Sequence, residues 1–477
     1  MRSFLRLAAL TGSALTGSAL TTLALSSTVT AATPAITQDA TPQDQGQPQG
    51  LNRIDHIVVI YLENRSFDNM YALFPGADGL LGKTKWLPQV DKAGQVYAEL
   101  PPVINTEEKP ARPDKRFPAH MVNAPFLIDQ YVPQQDKTGD LVHRFYQNQA
   151  QINGGRNDRY ATYSDAAGLV MGYYDTRDTK MWAYAKKYTL ADHFFQGAFG
   201  GSFLNHMMLV CACAPKYDGT APDALVAKLD DAGNLVKDGA ITPDGYAVNT
   251  IHTSFTPHPA AITDKAKLLP PLTLPTIGDR LSEKNVSWAW YSGGWNDAVA
   301  GKPDPTFQFH HQPFAYFSKY GDGTAERAQH LKDEADLHAD IARGSLPAVA
   351  FFKPLGIENQ HPGYANVSNA DIKAAEIIGK LEQSPLWKTT AIIVTYDENG
   401  GFWDHVAPPK GNRWGPGTRV PTLVISPFAR KGYVDHTVYD TTSILKLIEA
   451  RWGLAPLTER DAQAGDLRRA FDFGAKK

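Results

Sequence analysis

The chain has 477 residues, 43% of them hydrophobic and 20% charged, with a formal net charge of -3. That is an ordinary globular composition, long enough to bury a large core, and its length admits two or three domains or one large α/β domain with insertions. The near-neutral charge balance speaks against a nucleic-acid-binding scaffold and against a disordered, highly charged tail.

In chain order, Arg2 and Arg6 open a short cationic start, and an apolar stretch of small residues runs from Leu7 to Leu25. With small residues at Val29-Thr30-Ala31, residues 1–31 read as a cleaved signal peptide and imply a periplasmic or secreted protein. The competing reading is a membrane anchor, which the many Thr, Ser and Gly make a poor one. There is no adjacent Arg pair, so the general export route is expected rather than the twin-arginine one. Residues 32–50, rich in Pro, Gln, Thr and Asp, read as a flexible leader. The folded part is then 51–477. No later stretch is apolar enough to span a bilayer, so no stable membrane insertion is expected.

Short β-branched runs at Ile57–Leu62, Ala348–Phe352, Ala391–Tyr396 and Thr422–Ser426 read as buried strands, with a weaker one at Val286–Tyr291. Helical spacing appears at Asp333–Arg343, Asn369–Gln383 and Thr441–Arg451. Strands alternating with helices predict a doubly wound, mainly parallel α/β sheet. Residues 215–285 have weak periodicity and read as an insertion or cap beside the site. Cys211 and Cys213 are the two cysteines. Their spacing leaves two readings open, a bridge or two buried thiols, and they do not make a zinc site by themselves.

In open α/β sheets, functional groups gather beyond the carboxyl ends of strands. Two such ends carry acidic clusters, Glu63-Asn64-Arg65-Ser66-Phe67-Asp68 and Asp397-Glu398-Asn399-Gly400-Gly401. Carboxylates packed there repel one another unless a cation joins them, and oxygen donors from Glu63, Asn64, Asp397 and Glu398 suit a hard divalent ion. The bland alternative is helix capping, or pairing with Arg65. In Gly200-Gly201-Ser202, the glycines allow close approach of a ligand, and Ser202 opens a helix whose positive end favours an anion such as phosphate. Here too, simple capping is the alternative. His143, His310, His311, His361 and His405 sit in loops, where histidines suit phosphate binding and proton transfer.

Together these motifs resemble the phosphoesterase family of bacterial phospholipases C and acid phosphatases, within the alkaline phosphatase superfamily. The resemblance runs from Asp55-His56-Ile57-Val58-Val59 to Asp440-Thr441-Thr442-Ser443. Its most specific pieces are Glu63–Asp68, Thr395–Gly401 and Arg419-Val420-Pro421. It implies an alkaline-phosphatase-like fold. It also implies one divalent metal ion held by Glu63, Asn64, Ser202, Asp397 and Glu398, with Ser202 as nucleophile and His361 as proton donor. His143, Asn249, His310 and His311 would be phosphate contacts.

Serine at the nucleophile position, and an end soon after Trp452 without further β domains, point to the acid phosphatase branch and a small phosphate-ester substrate. Two alternatives remain open. One is a phospholipase C cleaving phosphatidylcholine-type diesters, for which Trp288, Trp290, Tyr291 and Trp295 could form a choline cage, although core packing is the commoner use of such residues. The other is a non-catalytic binding protein on the same scaffold. The physiological substrate, the metal and the oligomeric state are not legible.

Overall fold

The structure is a computed structural model that describes residues 50–82 and 84–474. The signal segment, and all of the leader except Gly50, lie outside the described residues. The main sheet has eight strands: β1 His56–Leu62, β2 Thr189–Ala191, β3 Trp288–Ser292, β4 Leu331–Asp333, β5 Val349–Lys353, β6 Thr390–Tyr396, β7 Thr422–Ile425 and β8 Tyr433–Asp435. Their spatial order is β4-β3-β5-β1-β6-β7-β2-β8. Strand β7 runs antiparallel to β6 and β2, and every other neighbouring pair is parallel. The result is the expected mixed α/β fold with a mostly parallel sheet.

The five apolar runs read from the sequence are all strands of this sheet. Strands β1, β5 and β6 are buried along almost their whole length. That is the condition in which both faces of a strand are covered and the sequence shows a continuous apolar run rather than alternation. Strands β2, β4 and β8 have three residues each, too few to generate a readable period.

The helices that flank the sheet start where side chains can satisfy the free N–H groups. Asp333 caps α1, Glu334–Arg343, in a reciprocal box with Asp336, and Gly344 ends it in the left-handed region. Asn366 caps α2, Val367–Gln383, by accepting from the Asn369 N–H at 2.8 Å. Its residues Val367, Ala370, Ala374, Ile377, Ile378 and Leu381 are buried at helical spacing. Helix α3 covers Thr442–Trp452.

Residues 215–285 contain a small two-stranded ribbon, Lys228–Leu229 with Leu235–Lys237, a 3-10 turn at Lys265–Lys267 and one short α-helix, Ile277–Glu283. Cys211 and Cys213 are joined by a disulfide, which decides between the two readings of that pair.

Candidate active site

Three parallel strands end together and deliver the reactive groups. Glu63 follows β1, Asp397 follows β6, and Lys353 is the last residue of β5. The Glu63 N–H donates to Asn359 O at 2.9 Å and the Asp397 N–H to Leu62 O at 3.1 Å, which pins both loops to the sheet edge. Asn64 takes a left-handed φ of 61°, a conformation Asn tolerates better than most residues. Its N–H donates to Asp397 Oδ1 at 3.2 Å. Gly400 makes this closure feasible, because a Cβ there would collide with the Asn64 backbone.

Ser202 is the first residue of the helix Ser202–Cys211, whose N-cap is Gly201. Capping is therefore not its task. Its Oγ donates to Glu63 Oε2 at 3.1 Å and lies 3.4 Å from Asn64 Oδ1. The Asn205 side chain accepts from the Ala198 N–H and donates to the Gly200 and Gly201 carbonyls. This fixes the glycine loop that presents Ser202 over the carboxylates. Arg65 does not pair with them. Its guanidinium donates to the Gln360 carbonyl and to Asn69.

The histidines close the other side. His311 Nε2 is 2.9 Å from Glu63 Oε1. His143 Nε2 faces Asn64 Nδ2 at 3.4 Å and Glu398 Oε1 at 3.7 Å. His361 donates from Nδ1 to the Pro362 carbonyl at 2.6 Å and stacks on Tyr364, with ring centres 4.3 Å apart. A polar cavity of about 300 Å³ runs over Ser202 and is lined by His143, His310, His361, Arg144 and Asn249. Asn249 also holds the wall itself, accepting from the Phe145 N–H at 2.9 Å and donating to the Gly239 carbonyl at 2.7 Å. The nine other residues that the resemblance assigns to the site thus gather around Ser202.

The model of the Phosphoesterase family matches residues 54–455. The chain belongs to that family. It is 27% identical to Phospholipase C B of Mycobacterium tuberculosis over 90% of this chain and 79% of that one. It is 24% identical to the Non-hemolytic phospholipase C of Pseudomonas aeruginosa, over 89% of this chain and 58% of that one. Among solved structures it is similar, at 11% identity and a TM-score of 0.33, to a protein in the alkaline phosphatase superfamily from Vibrio parahaemolyticus. That match covers 71% of this chain and 75% of the other. This phosphoesterase is a phosphoric ester hydrolase.

Charge in the phosphoesterase's site is unbalanced. Glu63, Asp397 and Glu398 are fully buried. Lys353, equally buried, ion-pairs with Glu63 Oε1. Burial alone would raise Glu63, but Lys353 and His311 outweigh it and hold the carboxyl well below its ordinary range. At Asp397 the pull of Lys353 is outweighed. Burial, then the charge on Glu63, pushes it up to about 8, and burial followed by Asp397 pushes Glu398 up as well. Asp397 Oδ2 and Glu398 Oε1 are buried without a hydrogen-bond partner. Orphaned buried carboxylate oxygens are costly unless a cation meets them, so this donor set fits the divalent ion inferred for it. Glu63, His206 and His311 each offer a ligand atom within 4.8 Å of the others, and so do Asp140, His143 and His361.

Several groups at the site escaped the sequence reading. Lys353 ends a buried strand, and a lysine in that position was itself the available signal. His206 stands one helical turn after Ser202 and so shares its face. It hydrogen-bonds the Ser202 carbonyl at 2.7 Å and lies 3.9 Å from Asp397 Oδ2. Asp140, His252 and Tyr364, also on the cavity wall, come from loops with no pattern to mark them.

The aromatic cluster takes the commoner of its two possible uses, core packing. Trp288 stacks on His330, Trp290 on Phe351, and Trp288, Trp290, Tyr291 and Trp295 are all buried. They pack the core around β3 and do not line the cavity. His405 also lies outside it, against Asp68 and Asp78.

Proposed function

We propose that this phosphoesterase is a phosphomonoesterase of acidic optimum that works through a phosphoseryl intermediate at Ser202. The observation that carries the reading is the cavity over Ser202: small, walled by histidines, Arg144 and Asn249, and without an aromatic cage. Such a space suits a phosphoryl group and a modest leaving group better than a choline headgroup with a lipid behind it.

Ser202 Oγ attacks phosphorus in line, forming the Oγ–P bond as the P–O bond to the leaving alcohol breaks. Glu63 Oε2 already accepts the serine proton and is the group placed to take it. His143, His310 and His311 face the phosphoryl oxygens and stabilise their charge. His361, whose Nδ1–H is committed to Pro362, delivers a proton from Nε2 to the leaving oxygen. Water then cleaves the Oγ–P bond and releases phosphate. Glu63, Asn64, Ser202, Asp397 and Glu398 would hold a single divalent cation, and the positive charge it would supply there would favour the serine alkoxide and offset the carboxylates.

The acidic optimum follows from His361. Burial, partly opposed by Asp140, lowers its pKa. The protonated donor is then populated only in acid, and turnover that depends on it falls as pH rises. The N-terminal pattern Arg2, Arg6 and Leu7–Leu25 supports export to the periplasm or beyond. Among the described residues no helix is long and apolar enough to cross a membrane.

The second reading is a phospholipase C, favoured by the names of the relatives, Phospholipase C B and Non-hemolytic phospholipase C. Turnover of p-nitrophenyl phosphate beside p-nitrophenylphosphorylcholine, across pH, separates the two. The proposal expects the monoester to be preferred and its rate to rise toward acid. Preferential turnover of the diester at every pH replaces phosphatase with phospholipase.

A further inference from the structure

At the same edge of the sheet but sharing no residue with the Ser202 cavity, carboxylates and imidazoles alternate in a continuous line. Arg419 anchors it, 3.2 Å from Asp68 Oδ1. Asp68 Oδ2 meets His405 Nδ1 at 2.7 Å, and His405 Nε2 meets Asp78 Oδ1 at 3.1 Å. Asp78 Oδ2 faces His193 Nε2 at 3.3 Å. His193 Nδ1 meets Asp192 Oδ1 at 2.9 Å, and Asp192 Oδ2 meets His436 Nδ1 at 2.8 Å. The outer three residues sit where they do because β2 and β8 are parallel neighbours with Ala191 opposite Asp435. Asp192-His193 and His436 therefore leave adjacent strand ends side by side.

We propose that Asp192, His193 and His436 form a second metal site, at the surface, for a borderline transition dication such as zinc. The donor set is the first argument. Two imidazoles and one carboxylate suit zinc, whereas calcium and magnesium prefer all-oxygen sites. Spacing is the second. The three ligand atoms lie within 4.8 Å of one another. Donors at zinc bond lengths in a tetrahedron sit ~3.4 Å apart, so small side-chain rotations suffice. The His436 side chain is 60% exposed and free to turn, while Asp192 is fully buried and fixed by the Asp78 N–H at 2.8 Å.

The third argument lies behind the ligands. With Nδ1 on the metal, His193 would present Nε2–H to the Asp78 carboxylate, the outer partnership that orients metal-bound imidazoles. His405 steadies Asp78 from the far side. Three protein donors leave a coordination position for water or a small ligand.

The test is zinc titration of the full chain by calorimetry, with elemental analysis after dialysis. His436→Ala, at an exposed position, should bind one zinc ion per chain fewer than wild type and turn over p-nitrophenyl phosphate, or the phosphorylcholine ester if that is the substrate, at the wild-type rate. Asp78→Asn should keep the stoichiometry and weaken this zinc by about 10–100-fold. An unchanged zinc count and affinity in His436→Ala overturns the proposal. So does a lost zinc ion that takes turnover with it, since the ion would then belong to the Ser202 cluster.

Discussion

Two carboxylate clusters grow from the same pair of loops and meet opposite electrostatic fates. Asp68 lies five residues beyond Glu63 and Asp404 six beyond Glu398, and all four are buried. Around Asp68 and Asp404 the charges are answered. Arg419 bonds both carboxylates and donates to the Asp78 and Asp192 carbonyls at 2.7 and 2.8 Å, with its guanidinium 4.3 Å from the Phe67 ring centre. His405, which burial alone would lower, is carried up to about 9 by Asp68 and stays protonated. Around Asp397 and Glu398 the charges are not answered, and two oxygens have no partner. The satisfied cluster holds loops together. The unsatisfied one has the donor chemistry of a ligand site, because buried carboxylates with strongly perturbed titration cluster where proteins bind and react.

Substitutions can break either half of this contrast. The largest effect belongs to Ser202→Ala, which should reduce turnover on the order of a thousandfold or more while leaving the thermal melt unchanged. Near-wild-type turnover by a folded variant would remove Ser202 from the mechanism. His361→Asn should cost about 10²–10⁴-fold with alkyl phosphates and less with aryl phosphates, whose leaving groups need no proton. Equal losses on both substrates would show that His361 is not the proton donor.

Arg419→Met attacks the satisfied cluster instead. It strands Asp68 and Asp404 and should lower stability by about 3–5 kcal/mol, read from the urea midpoint, with kcat per folded molecule retained. A midpoint within error of wild type would contradict the structural role.

A third carboxylate pair sharpens the comparison with the smallest effect. Glu449 lies buried beside Asp461, and burial followed by Asp461 pushes it up to about 9. Here a proton answers the charge, not an arginine or a metal. Glu449 is protonated in the folded chain while the unfolded chain ionises above about pH 4, so its contribution to stability is complete below that pH and fades as pH climbs toward 9. Glu449→Gln should therefore raise the melting temperature relative to wild type at about pH 8 and not at about pH 4. A difference that is the same at both pH values would refute the shared-proton account.

What was legible in the sequence divides along the same physical line. Buried strands such as Ala391–Tyr396 announce themselves because both faces must be apolar, and Asp397-Glu398 is conspicuous because two acids directly follow such a run. The helix at Asp333–Arg343 was legible through its apolar spacing, and the structure adds the local cap chemistry of Asp333 and Gly344 at its ends. The short strands β2, β4 and β8 were not, since three residues carry no period.

Long-range compensation was invisible as well. Nothing local indicates that Lys353 reaches Glu63, that Arg65 turns to the Gln360 carbonyl, or that Arg419 serves Asp68. The tryptophans of β3 were ambiguous for the converse reason: aromatic density is the same in a core and in a cage, and only tertiary packing separates them.

The central claim is that the uncompensated cluster of Glu63, Asp397 and Glu398 exists to hold a divalent cation that turnover requires. It is tested most directly by counting bound metal and turnover in the same preparations: wild type, chelator-treated wild type, and Asp397→Asn. Turnover should vanish with the metal, return when a divalent ion is restored to wild type, and stay absent in Asp397→Asn. Full turnover by protein in which elemental analysis finds no metal would contradict the claim.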